Sequence, residues 1–254
     1  MERMYSGGLV YDRFPAFSRM SWLFHGCFTR KGGHSEGLYK GLNAGVSSGD
    51  DTQVVAANRK AILIESGGEE LVTLSQVHGN AVHVHTGPGV VPIEADAVVT
   101  DRPGAMLTIL TADCQAVVLV DPTKRVVANA HAGWRGSVAG VLAATVSVME
   151  ERFGCRPADL LAGIGPSLGP CCAEFTHYKH ELPKAFHTHR VGFNHFDFWA
   201  ISRDQLCHAG LKASHIAAAQ LCTRCDAEHY FSYRRNHTTG RLATVIGITS
   251  LAPQ

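Results

Sequence analysis

Residues 72–130 carry six short β-favouring runs in close succession, at 72–77, 81–85, 97–100, 105–111, 116–120 and 125–130. Gly, Pro and Asp punctuate them, so this stretch is expected to form strands joined by tight turns rather than helices. A further strand is expected at 22–28, followed by the glycine-rich loop 29–37. Asp50, Asp51 and Thr52 offer an N-cap for a helix running to about Glu65, where Gly67-Gly68 stops it. After Gly136 the period changes. Val138, Val141, Leu142, Thr145, Val148 and Met149 follow helical spacing and present one apolar face that ends near Gly154. Residues 160–164 return to strand, and 199–210 read as a helix with Ile201, Leu206 and Cys207 inward. Closing strands are expected at 216–219, 229–233 and 243–248. Strands and helices without strict βαβ alternation point to an α/β (α+β) mixed-sheet sandwich, not a doubly wound sheet. No repeat and no Pro/Gly/Ser linker divides the chain, so residues 1–254 read as a single domain.

With 45% hydrophobic and 18% charged residues, the chain has material for a core and is far from a disordered composition. A formal net charge of +1 supplies no global field for nucleic acid or an anionic membrane, so neither is expected as a partner. No apolar run approaches the roughly 20 residues of a membrane span. The N-terminus Met1-Glu2-Arg3-Met4-Tyr5-Ser6-Gly7-Gly8 lacks an apolar secretory core. Eight scattered cysteines in an unexported chain read as reduced thiols or metal ligands, which fits the cytoplasm. The absence of an obvious exposed apolar stripe favours a monomer.

Three potential ligands stand in stretches that a core has no reason to specify: His78 in Gln76-Val77-His78-Gly79, Cys114 in Thr111-Ala112-Asp113-Cys114, and His131 in His131-Ala132-Gly133-Trp134-Arg135-Gly136. Two imidazoles and a thiolate suit zinc, and three protein ligands leave room for water or substrate. Each lies where an expected strand ends or turns. The bland alternative is two satisfied core histidines and a small buried thiol. Asp113 beside the cysteine argues against it, because a buried charge needs a partner or a task. The glycines around Trp134-Arg135 precede a helix, so free amides and a guanidinium could hold an anion such as phosphate. Trp134 could stack on a planar base or simply plug the sheet.

Other clusters carry less. Cys222-Thr223-Arg224-Cys225, with His229 nearby, has the spacing of half a zinc knuckle, yet no second CxxC completes it. Cys171-Cys172 is too tight for an ordinary disulfide and is expected to mark a turn after Gly169-Pro170. His83/His85 and His187/His189 are His-x-His pairs that could bind copper, though solvated histidine is the default. Glu174 is a lone acid in a polar-poor stretch. Tyr233-Arg234-Arg235 reads as a solvated patch or a second anion clamp.

Several separated motifs together resemble the YfiH-like laccase-domain family, variously called multicopper polyphenol oxidases or purine nucleoside phosphorylases. They are His25-Gly26, Thr29-Arg30-Lys31-Gly32-Gly33, Leu42-Asn43-Ala44-Gly45, Asn58-Arg59, the three ligand segments, Gly163-Ile164-Gly165-Pro166, Gly169-Pro170-Cys171 with Glu174, Phe231-Ser232-Tyr233-Arg234-Arg235 and Thr239-Gly240-Arg241. The resemblance covers about His25 to Ile248. It implies a four-layer α/β/β/α sandwich and one catalytic zinc on His78, Cys114 and His131. It also implies phosphorolysis of adenosine, inosine, guanosine and methylthioadenosine, and deamination of adenosine. Two departures concern the pocket: Cys172-Ala173 precede Glu174 where the family often carries Tyr, and Asn236-His237 replace a common Asp-Gly.

On that reading Arg59 and Arg135 are candidates for phosphate, Asn43 and Glu174 for ribose, Asp113 or Glu174 for proton transfer, and Trp134 and Arg235 for further substrate contact. The partners are then a nucleoside and phosphate, and the cofactor Zn2+. Three rivals remain. A Cu2+ phenol oxidase uses the same ligands, but a four-copper site needs about ten histidines in paired arrays. A cysteine hydrolase would use Cys114 with His131 or His78 as base and could take an amide-bond substrate such as a cell-wall precursor, to which some relatives are linked. A non-enzymatic metal-binding module would not need the anion features.

Overall fold

The runs richest in apolar residues become the central strands of two six-stranded mixed sheets in this computed structural model, which describes residues 1–87 and 93–250. Gln115–Asp121, Val126–Ala132 and Leu242–Ile248 are buried along their whole length. Strands of that kind are covered on both faces, and alternation is lost for that reason. One sheet runs Glu2–Ser6, Leu9–Arg13, Leu23–Phe28, Leu242–Ile248, Ala105–Thr111, Glu70–Thr73. The other runs Ile216–Ala218, Leu161–Ile164, Gln115–Asp121, Val126–Ala132, Ala97–Thr100, Val82–Val84.

Three buried clusters define four layers. Ile62 of helix Thr52–Ser66 packs with Leu9, Tyr11, Phe28 and Val245 on the outer face of the first sheet. Leu23, Leu107 and Ile246 meet Val98, Val118, Val120 and Val127 between the sheets. Val99, Val117, Leu119 and Ala128 meet Val141, Leu142 and Met149 of helix Val141–Phe153, and Leu206 of helix Phe198–His208. The result is the α/β/β/α sandwich expected from the motifs. Asn129, fully buried, ties the sheets by donating from Nδ2 to the carbonyls of Leu107 (3.0 Å) and Thr244 (2.8 Å). Among the described residues no helix is long and apolar enough to cross a membrane.

Two expectations need correction, and the N-terminal hairpin is an addition to them. The run at 72–77 is a strand only over Glu70–Thr73, because Gln76 turns its amide onto Leu110 instead. Residues 229–233 form no strand. Tyr230 and Phe231 are both buried, in a turn held by Asp226 and by Arg235 Nη2 donating to the Tyr230 carbonyl. The N-terminal hairpin, unforeseen, turns at Gly7 and Gly8, whose φ of 58° and 77° suit a two-residue hairpin loop.

Candidate metal centre

Register brings the three ligands together. Strand Ala105–Thr111 of one sheet feeds strand Gln115–Asp121 of the other through only Ala112-Asp113-Cys114, so Cys114 sits at the shared end of the sheets. Gln115 pairs with Ala132 and Ala116 with His131, which sets Cys114 beside His131. Ala97 pairs with Ala130, so Asp96, the residue before it, reaches the same end. The His131 amide donates to the Asp96 carbonyl at 2.6 Å.

Asp96 organises the rest. Its fully buried carboxylate accepts the consecutive amides of Val77 (3.2 Å), His78 (2.9 Å) and Gly79 (2.7 Å). Amides converging in this way require a local left-handed bend, and His78 adopts φ 61°, uncommon for a side chain with a Cβ. The same carboxylate lies 2.8 Å from His131 Nδ1. Burial works to raise the Asp96 carboxyl, but the hydrogen bonds from His131 and from the amides of Gly79 and His78 hold it below the usual carboxylate range. Asp96 is therefore an acceptor, Nδ1 of His131 carries the proton, and Nε2 faces the cluster. That arrangement is the carboxylate–histidine support found behind metal-binding imidazoles.

The ligand atoms of His78, Cys114 and His131 all lie within 4.8 Å of one another, and the two imidazoles meet edge to face with centroids 4.7 Å apart. A Cβ on Gly133 would stand 3.0 Å from both Cys114 Sγ and His78 Cδ2, so glycine leaves the space that the cluster fills. His131 is buried, Cys114 half-buried and His78 exposed, so the centre is anchored on one side and open on the other. Among the described residues no fourth His, Cys, Asp or Glu joins this group. Two nitrogens and a sulfur held this way fit zinc, with a catalytic rather than a sealed arrangement.

Electrostatics agree with a thiolate. Burial would push the Cys114 thiol up, but hydrogen bonds from His131 and His78 outweigh it and bring it down to about 6. Burial works the other way on His131, and Asp96 with Cys114 raises it to about 9. In metal-free protein the Cys114 thiolate is thus expected to appear with a midpoint near 6, read as the difference in thiolate absorbance between this protein and a Cys114→Ser variant. A midpoint at the ordinary value of about 8.5 would contradict the ion pair.

The centre opens into a cavity of about 820 Å³. Its walls include Arg59, Arg135, Arg234 and Arg241, against one carboxylate, Asp113. Asp113, at φ 94°, accepts from Thr223 Oγ1 (2.7 Å) and from the Arg234 amide (2.6 Å), so its oxygens hold the 222–235 loop. Trp134, Phe175 and Phe198 form an apolar wall, with Trp134 edge-on to Phe175 at 6.1 Å and the Arg135 guanidinium 4.3 Å above the indole.

Of the sequence candidates, His78, Cys114, His131, Asp113, Arg59, Arg135 and Trp134 line this cavity, and three do not. Asn43 is fully buried, donating to Ser48 and Asp50 and accepting from the amides of Gly45 and Arg241, which makes it a loop tie. Glu174 is exposed and accepts from Asn194. Arg235 spends its guanidinium on the carbonyls of Thr223, Arg224 and Tyr230, and its neighbour Arg234 lines the cavity instead. Asp96, unnoticed in the sequence, had one signal: an acid inside the apolar run Ala95-Asp96-Ala97-Val98-Val99. The His-x-His pairs are occupied elsewhere: His85 meets Glu70 at 2.9 Å, His187 the Leu182 carbonyl at 3.1 Å, and His189 Asp204 at 3.1 Å.

An α/β/β/α sandwich with a His/Cys/His cluster at the mouth of a cationic cleft defines the class. The chain belongs to the family described as multi-copper polyphenol oxidoreductase laccase, whose family model matches residues 24–249. It is 41% identical over 223 residues to purine nucleoside phosphorylase SCO2081 of Streptomyces coelicolor, covering 84% of this chain and 90% of that one. It is 36% identical over 227 residues to purine nucleoside phosphorylase YfiH of Escherichia coli, covering 86% and 90%. The crystal structure of hypothetical protein YfiH from Bacillus licheniformis superposes with a TM-score of 0.88 at 29% identity, over 96% of this chain and 97% of that one.

Proposed function

We propose that this chain is a zinc-dependent purine nucleoside enzyme, cleaving adenosine, inosine, guanosine and methylthioadenosine with phosphate and deaminating adenosine. The observation that carries the reading is one cavity uniting three convergent metal donors, four arginines and an aromatic wall. The names of the relatives support the same substrate class. A volume of about 820 Å³ suits a nucleoside with an accompanying phosphate.

In phosphorolysis a phosphate oxygen bonds to the ribose C1′ as the bond to the purine nitrogen breaks, and the base leaves with a proton. Arg59, Arg135, Arg234 and Arg241 offer the positive field that holds the phosphate dianion near C1′. Trp134, Phe175 and Phe198 offer apolar surface for a planar base. Asp113 positions the Arg234 segment through the two hydrogen bonds it accepts. His78, Cys114 and His131 would hold the metal, with Asp96 fixing the His131 tautomer. When bound there, zinc supplies Lewis acidity toward an oxygen of substrate or water, which either phosphorolysis or deamination can use. Phenol oxidation by a copper array is less well supported, because only two groups of three or more convergent donors occur among the described residues.

The test is product analysis of adenosine incubated with and without phosphate, beside metal quantification. Adenine and ribose phosphate formed only with phosphate, or inosine formed in either condition, supports the proposal. Turnover that survives exhaustive chelation would instead favour a Cys114 hydrolase, and no turnover by zinc-loaded protein rejects the proposal. Arg135→Ala is expected to raise the phosphate KM about 10- to 100-fold, as loss of a charge-assisted hydrogen bond costs about 1.5–3 kcal/mol.

A further inference from the structure

A second group of convergent donors lies outside the cleft. Cys171, Cys172, Cys222 and Cys225 bring their sulfurs within 4.8 Å of one another, although 49 residues, 173–221, lie between the two pairs. The CxxC that lacked a partner in the sequence is completed by the vicinal pair. We propose that these four cysteines form a structural zinc site, distinct from the His78/Cys114/His131 centre.

The sulfur spacing is the first argument. Cys225 Sγ is 3.6 Å from Cys171 Sγ and 3.5 Å from Cys172 Sγ. A disulfide holds its sulfurs at about 2.05 Å. A tetrahedron with Zn–S bonds of about 2.3 Å has sulfur–sulfur edges of about 3.8 Å. The spacing is thus close to the tetrahedron's edge. A tetrahedral set of four sulfurs favours zinc among common divalent ions.

The second argument is that the surroundings suit negative sulfur. The Gly169 amide donates to Cys222 Sγ at 3.3 Å, a contact that orients and stabilises a thiolate. Arg224, inside the CxxC, places a positive charge in the same short loop. Binding would release the thiol protons to solvent and leave a site of net charge −2, half of which the one guanidinium would offset. No electrons move.

The third argument is what the site would hold. One pair lies in the 169–174 turn and the other in the 222–235 loop. Backbone bonds from Ser167 to Leu221 (3.1 Å) and from Thr223 to Ser167 (3.0 Å) run beside it. His229, once a possible ligand, instead sits 3.0 Å from Asp226. The loop delivers Thr223 and Arg234 to Asp113, the neighbour of Cys114. A metal here would clamp two segments that lie outside the helices and sheets, and through Asp113 would steady the floor of the cleft. The proposal does not depend on the nucleoside reading.

The test uses a Cys114→Ala/His131→Ala protein, from which the first centre is removed, produced with zinc in the medium. It is expected to retain one zinc per chain by mass spectrometry. Cobalt replacing that zinc should show the charge-transfer absorption of a tetrahedral tetrathiolate. Adding Cys222→Ser and Cys225→Ser should take the zinc from one equivalent to none. The unchanged protein, whose fold is not in question, should titrate with two equivalents of cobalt, of which one carries the tetrathiolate spectrum. Zinc-free variant protein with an intact fold, an intact mass lowered by two or four hydrogens, or zinc that persists after the serine substitutions would overturn the proposal.

Discussion

His131→Ala is expected to abolish metal binding at the cleft and to lower kcat/KM for nucleoside turnover about a thousandfold. Metal-ion catalysis contributes several kcal/mol of transition-state stabilisation, and each 1.36 kcal/mol is about one decade in rate. The substitution should also weaken the fold, for a separate reason. Asp96 is fully buried, and its Oδ1 has His131 Nδ1 as a partner at 2.8 Å. Removing one partner of a buried charged pair costs about 3–5 kcal/mol. The three amides that remain on Asp96 place the expected loss near the lower end. Cys114→Ser serves as the contrast. It removes a ligand without orphaning a buried carboxylate, so it should lose the same turnover at a stability cost of about 1 kcal/mol or less. Metal content, denaturant unfolding and turnover, measured on both variants, separate the two effects. Equal stability losses would show that Asp96 does not depend on the imidazole, and full turnover by either variant would remove the metal from the reaction.

The placement of Cys114 and His131 was legible in the sequence because strand ends are legible. Ala97–Thr100 and Ala105–Thr111 lie where the apolar runs placed them, and Cys114 and His131 follow from the register of the strands that flank them. Residues whose roles depend on a turn were not legible. Arg234 and Arg235 are adjacent and chemically alike, yet only Arg234, whose backbone amide donates to Asp113, is among the cleft-lining residues. Asn43 sits in a motif that carried the family resemblance, yet its amide is consumed in holding the 43–50 loop. Residues 229–233 have strand-like composition, but Arg235 donating to the Tyr230 carbonyl and the Tyr230 hydroxyl donating to Asp12 pin Tyr230 in a turn. The four-cysteine group joins segments far apart in sequence, and no spacing rule connects a CC pair to a distant CxxC.

The residue that no motif flagged should produce the second large effect. Asp96→Asn keeps the size of the side chain and removes its charge. An amide has one acceptor oxygen, whereas the carboxylate uses two toward His131, Val77, His78 and Gly79. The Asn NH2 must therefore face at least one N–H donor, which loosens either the His131 ring or the turn that holds His78 at φ 61°. Supporting carboxylates of this kind contribute about 10- to 100-fold to metal affinity or activity, and the variant is expected to lose that much in a competitive chelator titration. The pH dependence gives an independent check. The folded-state carboxyl is held below the usual range by hydrogen bonds from His131 and the amides of Gly79 and His78, against burial, which would raise it. A depressed folded value makes its stabilisation fully present above the unfolded value of about 3.9 and lost as pH falls through the folded one. The stability gap between the metal-free parent and Asp96→Asn should accordingly be widest at neutral pH and narrow below about pH 4. A gap that stays constant through acid, with chelator affinity unchanged, would mean that the charge of Asp96 is incidental and that shape alone positions the two histidines.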